Sequence, residues 1–327
     1  MGVIEHHAPV WESQEHKWSA GLGAAARLAA AQARLLRGAP QNFDAVIVGY
    51  PGHADLPAAR RVARDRPVIF NPLVSLTDTL VEDRKRFRPG SLPARILRAI
   101  DRYALRAADL VVADTEANAS HLVGLAGLDP GRVRVCLVGA EERLFQSGWR
   151  PESPRDVLFI GKLIPLHGLE TILAAAALAP ELRFRIIGSG QLDGLLRKRR
   201  ANVEWIPWVE YASLPGELHQ TGCSLGIFGT SAKAARVIPN KAFQALACAT
   251  PLVTADTPGA RELLEDGESA LLVPPGDPQA LAAVLRRLAG DPELAHRLSR
   301  GGRSAYEAKA SEHVLGTRWR TLVEELL

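Results

Sequence analysis

Basic side chains and glycines stand together at the predicted ends of strands in the second half of the sequence. In the stretch GKLIPLHGLETI, Gly161 and Lys162 end a predicted strand, and His167 begins a predicted helix. Glycine lets the backbone approach a ligand closely, free amides at a helix start attract anions, and Lys and His supply positive charge. The stretch is therefore a candidate phosphate site, although a glycine-bounded turn before a helix is often only a tight connection.

The most informative stretch runs from residue 229 to residue 253, GTSAKAARVIPNKAFQALACATPLV. Pro239 or Asn240 is expected to start a helix, which places Lys241 in its first turn and Gln244 one turn later on the same face. A cation beside a helix N-terminus is locally unfavourable unless an anion lies between them. We therefore predict a diphosphate as the partner of Lys241.

Three weaker candidates lie in the same half. Residues 188 to 190, Gly-Ser-Gly after a predicted strand, form a tight turn as readily as a ligand contact. Gly229 and Lys233 precede the helix of Lys241, and lysine is scarce, with seven in the chain. Glu262, just inside a later helix, caps that helix more readily than it binds a sugar hydroxyl.

Polar side chains in the first half are candidates for acid and base chemistry. His53 lies in YPGHAD, and Ser75, Asp78 and Asp83 lie in SLTDTLVEDR after a predicted strand. Each has a plainer interpretation, because His53 can satisfy a turn and the two aspartates can cap a helix or pair with Arg84. We take His53, Asp78 and Asp83 as the catalytic candidates.

The elements that position these side chains form two similar halves. With 327 residues and 47% apolar composition, two globular domains of about 150 residues each are expected. Short Val- and Ile-rich segments alternate with amphipathic stretches, which predicts βαβ units and parallel sheets in an α/β fold. A stretch rich in Pro, Ser and Gly at 146–156 marks the expected linker. We predict an N-terminal domain of residues 1–150 and a C-terminal domain of residues 151–327 that ends in helices. The predicted strands are residues 44–50, 66–70, 108–114, 132–139, 157–161, 184–190, 203–206, 224–229, 251–256 and 270–276.

The beginning of the first half departs from this pattern. A doubly wound domain usually opens with an apolar strand and a glycine-containing turn. Here the first strand candidate, residues 2–5, is followed at once by polar sequence. We therefore expect the N-terminal domain to lack its first strand, through truncation or a start codon set too late.

Composition narrows the class further. No apolar run approaches the roughly 20 residues that span a bilayer, and the N-terminus carries charge and His where a signal peptide needs an apolar stretch. A cytoplasmic location is therefore expected. Cys136, Cys223 and Cys248 lie far apart without metal-site spacing, so buried reduced thiols are expected.

Four arginines repeat at spacings of three and four residues in the first half. They share one face of a predicted helix, opposite a stripe that includes Ile96 and Ile100. The net charge of +4 and pI near 9.1 permit attraction to phosphates or to an anionic membrane. The face fits anionic lipid or a lipid-diphosphate acceptor, and a solvated surface explains it at least as well. The arginines are Arg95, Arg98, Arg102 and Arg106.

In this order and spacing, the pieces of the second half resemble the family-4 glycosyltransferases of GT-B fold. The residues Gly-Lys-Leu at 161–163 stand where that family has Gly-Arg-Leu, and His-Gly at 167–168 stand where it has Lys-Gly. Arg236 and Gln244 align with its two glutamates, the second in a Glu-Ala-Leu-Ala context. Residues 251–277 match closely, and the resemblance covers essentially all of residues 156–300. The first half resembles the family more loosely.

The resemblance implies two Rossmann-like domains that face a central cleft, with a nucleotide-sugar donor held by the second. It implies transfer of the sugar, with retention, to an envelope, exopolysaccharide or lipid-linked glycan acceptor at the inner face of the membrane. No Asp-x-Asp motif occurs, and no metal, other cofactor or nucleic acid is expected. The implied donor-binding residues are Gly161, Lys162, His167, Gly188, Gly190, Gly229, Lys233, Pro239, Asn240, Lys241 and Gln244.

Departures from the family pattern affect donor recognition. Gln244 can still exchange hydrogen bonds with ribose hydroxyls but carries no charge, and Arg236 cannot accept hydrogen bonds from a donor sugar. His167 in place of Lys is expected to make phosphate binding sensitive to pH near neutrality. Two other functions stay open: a GT-B sugar-nucleotide epimerase, and a non-catalytic nucleotide-sugar-binding partner of another chain.

Overall fold

The computed structural model describes residues 2–8, 22–197 and 200–327, and within them the chain forms two α/β domains. The first contains a four-stranded parallel sheet in the order β1-β2-β3-β4. Residues 2–5, the first strand candidate, are exposed and belong to no strand, in agreement with the expectation that this domain lacks its first strand. The strands of this sheet are β1 Val46–Val48, β2 Val68–Phe70, β3 Leu110–Ala113 and β4 Val133–Val135.

The second domain contains a six-stranded parallel sheet in the order β10-β9-β8-β5-β6-β7. Counted from its own first strand, this is the 3-2-1-4-5-6 order of a Rossmann fold. All ten predicted strands of the two sheets are confirmed, each shorter than or close to its predicted range. The strands are β5 Asp156–Ile160, β6 Arg183–Ile187, β7 Val203–Ile206, β8 Cys223–Leu225, β9 Leu252–Ala255 and β10 Leu271–Val273.

Helices cover both faces of each sheet, and several begin where the sequence supplies a capping side chain. The side chains of Asp277, Asp291 and Ser311 each accept a hydrogen bond from the backbone amide three residues later. A π-helical turn, Asp78–Asp83, follows β2. In the first domain the helices are α1 Leu22–Arg37, α2 Leu56–Ala63, α3 Leu92–Ala107 and α4 Glu116–Ala126. The later helices are α5 Leu169–Leu178, α6 Leu214–Gln220, α7 Ala232–Arg236, α8 Asn240–Ala247, α9 Pro258–Arg261, α10 Pro278–Gly290, α11 Pro292–Lys309 and α12 Glu312–Glu324.

The last helix returns to the first domain. Leu322 and Val323 of α12 are buried together with Ile69, Leu110 and Val112 of the first sheet. The chain therefore passes between the domains twice, once before β5 and once before α12. The second passage adds apolar burial that ties the two domains together.

The orientation of α3 differs from the expectation. Its buried residues include Ala94, Asp101 and Leu105, whereas Ile96 is exposed on the same outer side as the arginines. The apolar stripe opposite the arginines therefore does not include Ile96, because small and charged residues fill the inner face instead. Asp101 anchors that face by accepting hydrogen bonds from the amides of Leu76 and Thr77.

Two further features follow the sequence. The three cysteines are buried and form no disulfide. Among the helices of the described ranges, none is long and apolar enough to cross a membrane.

Candidate active site

The second sheet reverses its strand order between β5 and β8, and ligands of open α/β sheets bind at the carboxyl ends of strands beside such a point. Gly161 follows β5 at this edge, and residues 226–228 follow β8. The loops at this edge face the first domain, because Leu166 and Lys233 hydrogen-bond to its side chains. The candidate site therefore lies between the two domains.

Lys241 is buried at this edge without a hydrogen-bond partner. It is the second residue of α8, which begins after Pro239 as the sequence predicts. Only 7% of its surface is exposed, and its Nζ lies 3.8 Å from the ring centroid of Phe159. No described group hydrogen-bonds to this Nζ. Apart from the Phe159 ring, an ammonium in such surroundings lacks compensation, and its burial is costly unless an anion offsets it.

The glycines of the strand ends make room for this arrangement. A Cβ on Gly161 would lie 2.8 Å from the Lys241 Nζ, so a side chain here would have to displace the ammonium, and the positive φ of Gly161 also favours glycine. A Cβ on Gly188 would lie 2.0 Å from the Gly161 carbonyl oxygen. Gly190 and Gly229 pack in the same way against backbone of neighbouring loops. Close packing of loops thus accounts for the glycines of residues 188 to 190, which agrees with their interpretation as a tight turn.

His167 is held as a neutral hydrogen-bonding group. Its Nδ1 lies 2.5 Å from the carbonyl oxygen of Lys162. Because a carbonyl only accepts, Nδ1 carries the proton and Nε2 is left as an acceptor. Burial, followed by the positive charge of Lys241, lowers the pKa of His167 well below its usual value. The expectation that His167 supplies charge and titrates near neutrality is therefore wrong for the unliganded chain.

The remaining predicted donor residues lie on one side of Lys241. Asn240 precedes it as the first residue of α8. Gln244, one turn later, donates a hydrogen bond from Nε2 to the Tyr211 hydroxyl at 3.4 Å. Lys162 is exposed beside Gly161. The exposed aromatic ring of Tyr211 at this edge was missed by the sequence reasoning, which gave no signal beyond its place after a strand.

Lys233 and Arg236 turn away from Lys241 toward the first domain. The Lys233 Nζ donates to the Thr79 hydroxyl at 3.1 Å and lies 3.9 Å from an Asp83 carboxylate oxygen. The Arg236 Nη2 donates to the Asp78 Oδ2 at 2.8 Å. The hydrogen bond of Lys233 thus goes to the first domain, its charge also lowers the pKa of His167, and its role in binding the donor phosphates stays a prediction. Helix α7 is short and directs both cations across the domain contact.

The two candidate aspartates of the first domain receive these cations. Asp78 Oδ2 lies 3.1 Å from His121 Nε2, and although burial acts to raise its pKa, His121 and Arg236 together hold that pKa below the usual value. Asp83 accepts a hydrogen bond from the Leu166 amide at 2.9 Å. Burial raises the pKa of Asp83 despite the charge of Lys233. Both aspartates thus lie at the domain contact, where Arg236, Lys233 and Leu166 of the second domain reach them, while His121 of the first domain also contacts Asp78.

His53 and Ser75 support the segment that carries Asp78. His53 is 3% exposed, its Nε2 lies 3.4 Å from Asp101 Oδ1, and its ring packs edge-on against Phe70. Ser75 accepts a hydrogen bond from the Asp78 amide. Burial lowers the pKa of His53, against the opposing effect of Asp101. Its position is that of an internal support, so the structure argues against His53 as a catalytic residue.

Glu262 joins the domains rather than capping its own helix. Its carboxylate accepts hydrogen bonds from the amides of Glu116 and Ala117 at 2.7 and 2.9 Å. It therefore caps the N-terminus of α4 in the first domain, where a carboxylate is favourable. Thr115 adds a hydrogen bond to the Arg236 carbonyl at 2.5 Å. The prediction that Glu262 caps its own helix is therefore wrong, because its carboxylate is turned to a helix that is distant in sequence.

Asp114 is a titratable residue that the sequence reasoning missed. It follows β3 at the carboxyl edge of the first sheet, is 6% exposed, and accepts a hydrogen bond from Asn118 at 2.6 Å. Burial raises its pKa to about 6. The nearby Glu262 acts in the same direction, and Lys233 opposes it. The signal that could have found it is its place at a strand end.

Replacing Asp114 by asparagine is expected to change stability in a pH-dependent way. A folded-state pKa of about 6, against about 3.9 for the unfolded chain, means that folding binds the proton more tightly. The ionisation of Asp114 therefore lowers the free energy of unfolding as the pH rises from about 4 to about 6. Above pH 6 the total loss, relative to low pH, is about 2–3 kcal/mol. Asp114→Asn should therefore raise the free energy of unfolding at pH 8 and leave it nearly unchanged at pH 4.

Urea denaturation at both pH values measures this difference. The exposed Asp44 supplies the matched control, because Asp44→Asn should act equally at the two pH values. If Asp114→Asn changed the free energy of unfolding equally at pH 4 and pH 8, ionisation of Asp114 would not destabilise the fold, and the prediction would be contradicted.

A cavity at another edge of the second sheet does not offer a second candidate for the active site. It encloses about 290 Å³ at the opposite, amino edge of the second sheet. Its charged side chains form ion pairs with one another, with Arg183 2.7 Å from Asp156 and Arg185 2.7 Å from Glu217. Arg183 and Arg185 thus have carboxylate partners in the same cavity, whereas the Lys241 ammonium has no such partner among the described groups.

Comparison with known proteins agrees with this architecture. Residues 4–139 match a family model described as a glycosyl transferase 4-like domain, and residues 154–291 match one described as glycosyl transferases group 1. The chain is 30% identical over 288 residues to a D-inositol 3-phosphate glycosyltransferase from Thermomonospora curvata, which covers 78% of this chain and 65% of that protein. A protein of the same description from Catenulispora acidiphila is 29% identical over 375 residues, covering 100% of this chain and 80% of that protein. The chain thus spans less than two thirds of the Thermomonospora relative.

Solved structures share the fold. Sucrose-phosphate synthase from Thermosynechococcus elongatus superposes with a TM-score of 0.74 at 18% identity, covering 91% of this chain and 79% of that one. HepE from Anabaena, solved with UDP-glucose, superposes with a TM-score of 0.71 at 18% identity. The match covers 90% of this chain and 82% of HepE. Two Rossmann-like domains with a site between them define a protein of the GT-B class. The chain belongs to the GT-B glycosyltransferases, as a family-4-like member.

Proposed function

We propose that this protein transfers a sugar from a nucleoside-diphosphate sugar to an acceptor hydroxyl, with retention at the anomeric carbon. The observation that carries this proposal is the buried Lys241 ammonium, which has no hydrogen-bond partner among the described groups. It lies at the sheet edge where this fold binds ligands, and the family relatives support a sugar transferase. The diphosphate of the donor is the anion that would complete this site.

In this proposal the second domain stabilises the departing diphosphate. Charge develops on the leaving oxygen, and donors already aimed at that position lower the barrier most effectively. Lys241 and the free amides at the start of α8 supply this stabilisation, while neutral His167 presents Nε2 as an acceptor to a hydroxyl or a protonated phosphate. Gln244 would hydrogen-bond to the ribose hydroxyls of the donor. We propose that these groups suffice without a resident metal or other cofactor.

The first domain supplies the acceptor side in this proposal. Asp78 and Asp114 lie at its face toward the second domain, and Asp114, with a pKa of about 6, is the better match for a proton acceptor near neutral pH. The acceptor is proposed to be a glycan or lipid-linked sugar of the cell envelope or an exopolysaccharide. Action at the inner face of the cytoplasmic membrane belongs to the same proposal, and nucleic acid does not.

A panel of nucleotide sugars tests the proposal. Calorimetry with each donor should reveal one or more that bind, and proton NMR of the product with a cell-envelope extract should show the anomeric configuration of the donor retained. Conversion of the donor to an epimer without acceptor would identify a sugar-nucleotide epimerase instead. Tight donor binding without turnover in any extract would identify a non-catalytic partner, and binding of none would contradict the site.

A further inference from the structure

His121 lies on the face of α4 that packs against the segment between β2 and α3. Its Nε2 is buried and lies 3.1 Å from Asp78 Oδ2. One turn earlier on the same face, Asn118 donates a hydrogen bond from Nδ2 to the Leu73 carbonyl at 3.2 Å. Helix α4 therefore holds this segment at two points, and His121 supplies the one that involves a charged group.

The segment that α4 holds in this way has irregular backbone. Leu73 has a φ of 56°, in the left-handed region that is unfavourable for a bulky side chain. The π-helical turn Asp78–Asp83 follows a few residues later. Backbone of both kinds persists only where the surroundings fix it, and both kinds are common at functional sites. These features indicate a segment whose geometry serves a site rather than the sheet.

The Asp78 carboxylate fixes which nitrogen of His121 carries a proton. Although burial acts to raise the pKa of Asp78, His121 and Arg236 hold it below the usual value, so the carboxyl group stays ionised. A carboxylate only accepts hydrogen bonds, so the proton of the neutral His121 ring lies on Nε2, facing Asp78. The other ring nitrogen, Nδ1, is left with a lone pair.

This second nitrogen of His121 is open to a ligand. Within the described ranges, Nδ1 has no hydrogen-bond partner and, unlike Nε2, it is not buried. The His121 side chain keeps 24% of its surface exposed, whereas the Asp78 side chain keeps 4%. The ring is therefore fixed at its inner end and presents a free lone pair at its outer end.

The His121 ring lies at the contact between the domains. Asp78 Oδ2 also accepts the hydrogen bond of Arg236 Nη2, so the imidazole and the guanidinium are neighbours on one oxygen. Arg236 ends α7, and α8, which carries the buried Lys241, follows it in the chain. Glu262 of the second domain holds the first turn of the same helix as His121. His121 thus lies on the side of the first domain that faces the proposed donor site.

We propose that His121 binds the molecule that receives the sugar, with Nδ1 accepting a hydrogen bond from one of its hydroxyl groups, and that Asp78 is the positioning residue that orients the ring. The inference rests on the proposed function and deepens it, because it names a residue that touches the acceptor. It also defines the chemistry of the group that is bound. A ring nitrogen with a lone pair binds a hydroxyl proton and offers nothing to a phosphate oxygen, which also only accepts. The acceptor group at His121 is therefore an uncharged hydroxyl.

Two substitutions separate the two ends of the His121 ring. In His121→Gln the amide nitrogen takes the place of Nε2 and keeps the hydrogen bond to Asp78, while nothing replaces Nδ1. In His121→Asn the amide oxygen takes the place of Nδ1, while the contact with Asp78 is lost. At saturating donor and limiting cell-envelope extract, the rate of sugar transfer should fall by about tenfold in His121→Gln and by less in His121→Asn. The unfolding temperature should fall more in His121→Asn.

The opposite order of these two effects is the decisive result, because a merely structural role would lower activity and stability in the same order. Donor affinity, measured by calorimetry, should equal that of the wild type in His121→Gln. The variants His313→Gln and His313→Asn, at an exposed position of α12, control for the helix propensity of the new residues. Transfer by His121→Gln at the wild-type rate, or a loss of transfer that follows the loss of stability, would overturn the inference.

Nitrogen NMR of a chain labelled at histidine reads the tautomer of His121 without any acceptor. The signals that disappear in His121→Gln should show the Nε2–H form at pH 8, and the Nδ1–H form would overturn the inference. The outcome is separable from that of the proposed function. A wild-type chain that binds no nucleotide sugar, or transfers none, would contradict the proposed function and this inference together. Transfer by the wild type that His121→Gln leaves unchanged would overturn the inference alone.

Discussion

Replacing Lys241 by methionine is expected to lower sugar transfer by about 10²–10³-fold, because it removes a preorganised cation from the leaving diphosphate. Methionine keeps most of the length and volume of the lysine stem, which packs over the Phe159 ring. The affinity for a nucleoside diphosphate should fall by about tenfold or more, whereas that for the uncharged nucleoside should stay unchanged. Calorimetry with the two ligands measures this difference.

The same substitution should not lower stability. The Lys241 ammonium is buried without a partner, and burial lowers its pKa well below the usual value. Removing a buried unpaired cation takes away a cost of folding, so the free energy of unfolding of Lys241→Met should equal or exceed that of the wild type. Lys309→Met, on an exposed lysine of α11, serves as the control and should leave ligand binding unchanged. Unchanged diphosphate affinity and activity in Lys241→Met would remove the assigned site.

Ligand binding should also depend on pH through Lys241. The lowered pKa in the unliganded chain means that the ammonium loses its proton more readily, and a bound diphosphate would stabilise the protonated form. Binding is then coupled to proton uptake, and affinity falls as the pH rises through the unliganded pKa of Lys241. Calorimetry in buffers of different ionisation enthalpy detects the uptake. It should disappear in Lys241→Met.

Local sequence signals predicted the donor half of the candidate site because its geometry is local. Pro239 before α8 fixes where the helix begins, and that position places Lys241 at the sheet edge. The glycines after β5 and β6 were recognisable as close approaches of backbone. The strands were predictable for the same reason. Each is a short run of apolar residues, and that local pattern alone indicates a buried strand.

The domain contact could not be predicted in this way. Glu262 caps a helix that begins 146 residues earlier, and Arg236 meets Asp78 across 158 residues of chain. Which residues meet at such separations depends on how two folded domains pack, and periodicity within one element carries no such information. The same limit applies to α3, where Ile96 reads as core by type but lies outside because α4 and Asp101 fix the helix orientation.

Arg236→Met is expected to lower the free energy of unfolding by about 2–3 kcal/mol, because it removes a charged hydrogen-bond donor from the buried Asp78 carboxylate and leaves it with His121 alone. The Asp78 side chain is 4% exposed, and the Arg236 Nη2 lies 2.8 Å from it. The surface pair Arg183 and Asp156 has the same kind of geometry at 2.7 Å, but 69% of the Arg183 side chain is exposed. Arg183→Met should therefore cost at most about 1 kcal/mol.

A double-mutant cycle isolates the interaction that joins the domains. In Asp78→Asn/Arg236→Met the total loss should fall short of the sum of the single losses by at least about 1.5 kcal/mol, because each single variant leaves a charged side chain that has lost its partner across the domain contact. Small-angle scattering should show a larger radius of gyration for Arg236→Met, since one of the two α7 cations that contact the π-helical turn is gone. Additive losses, or a coupling no larger than in the cycle of Arg183 and Asp156, would show that the Arg236 side chain is dispensable for the contact between the domains.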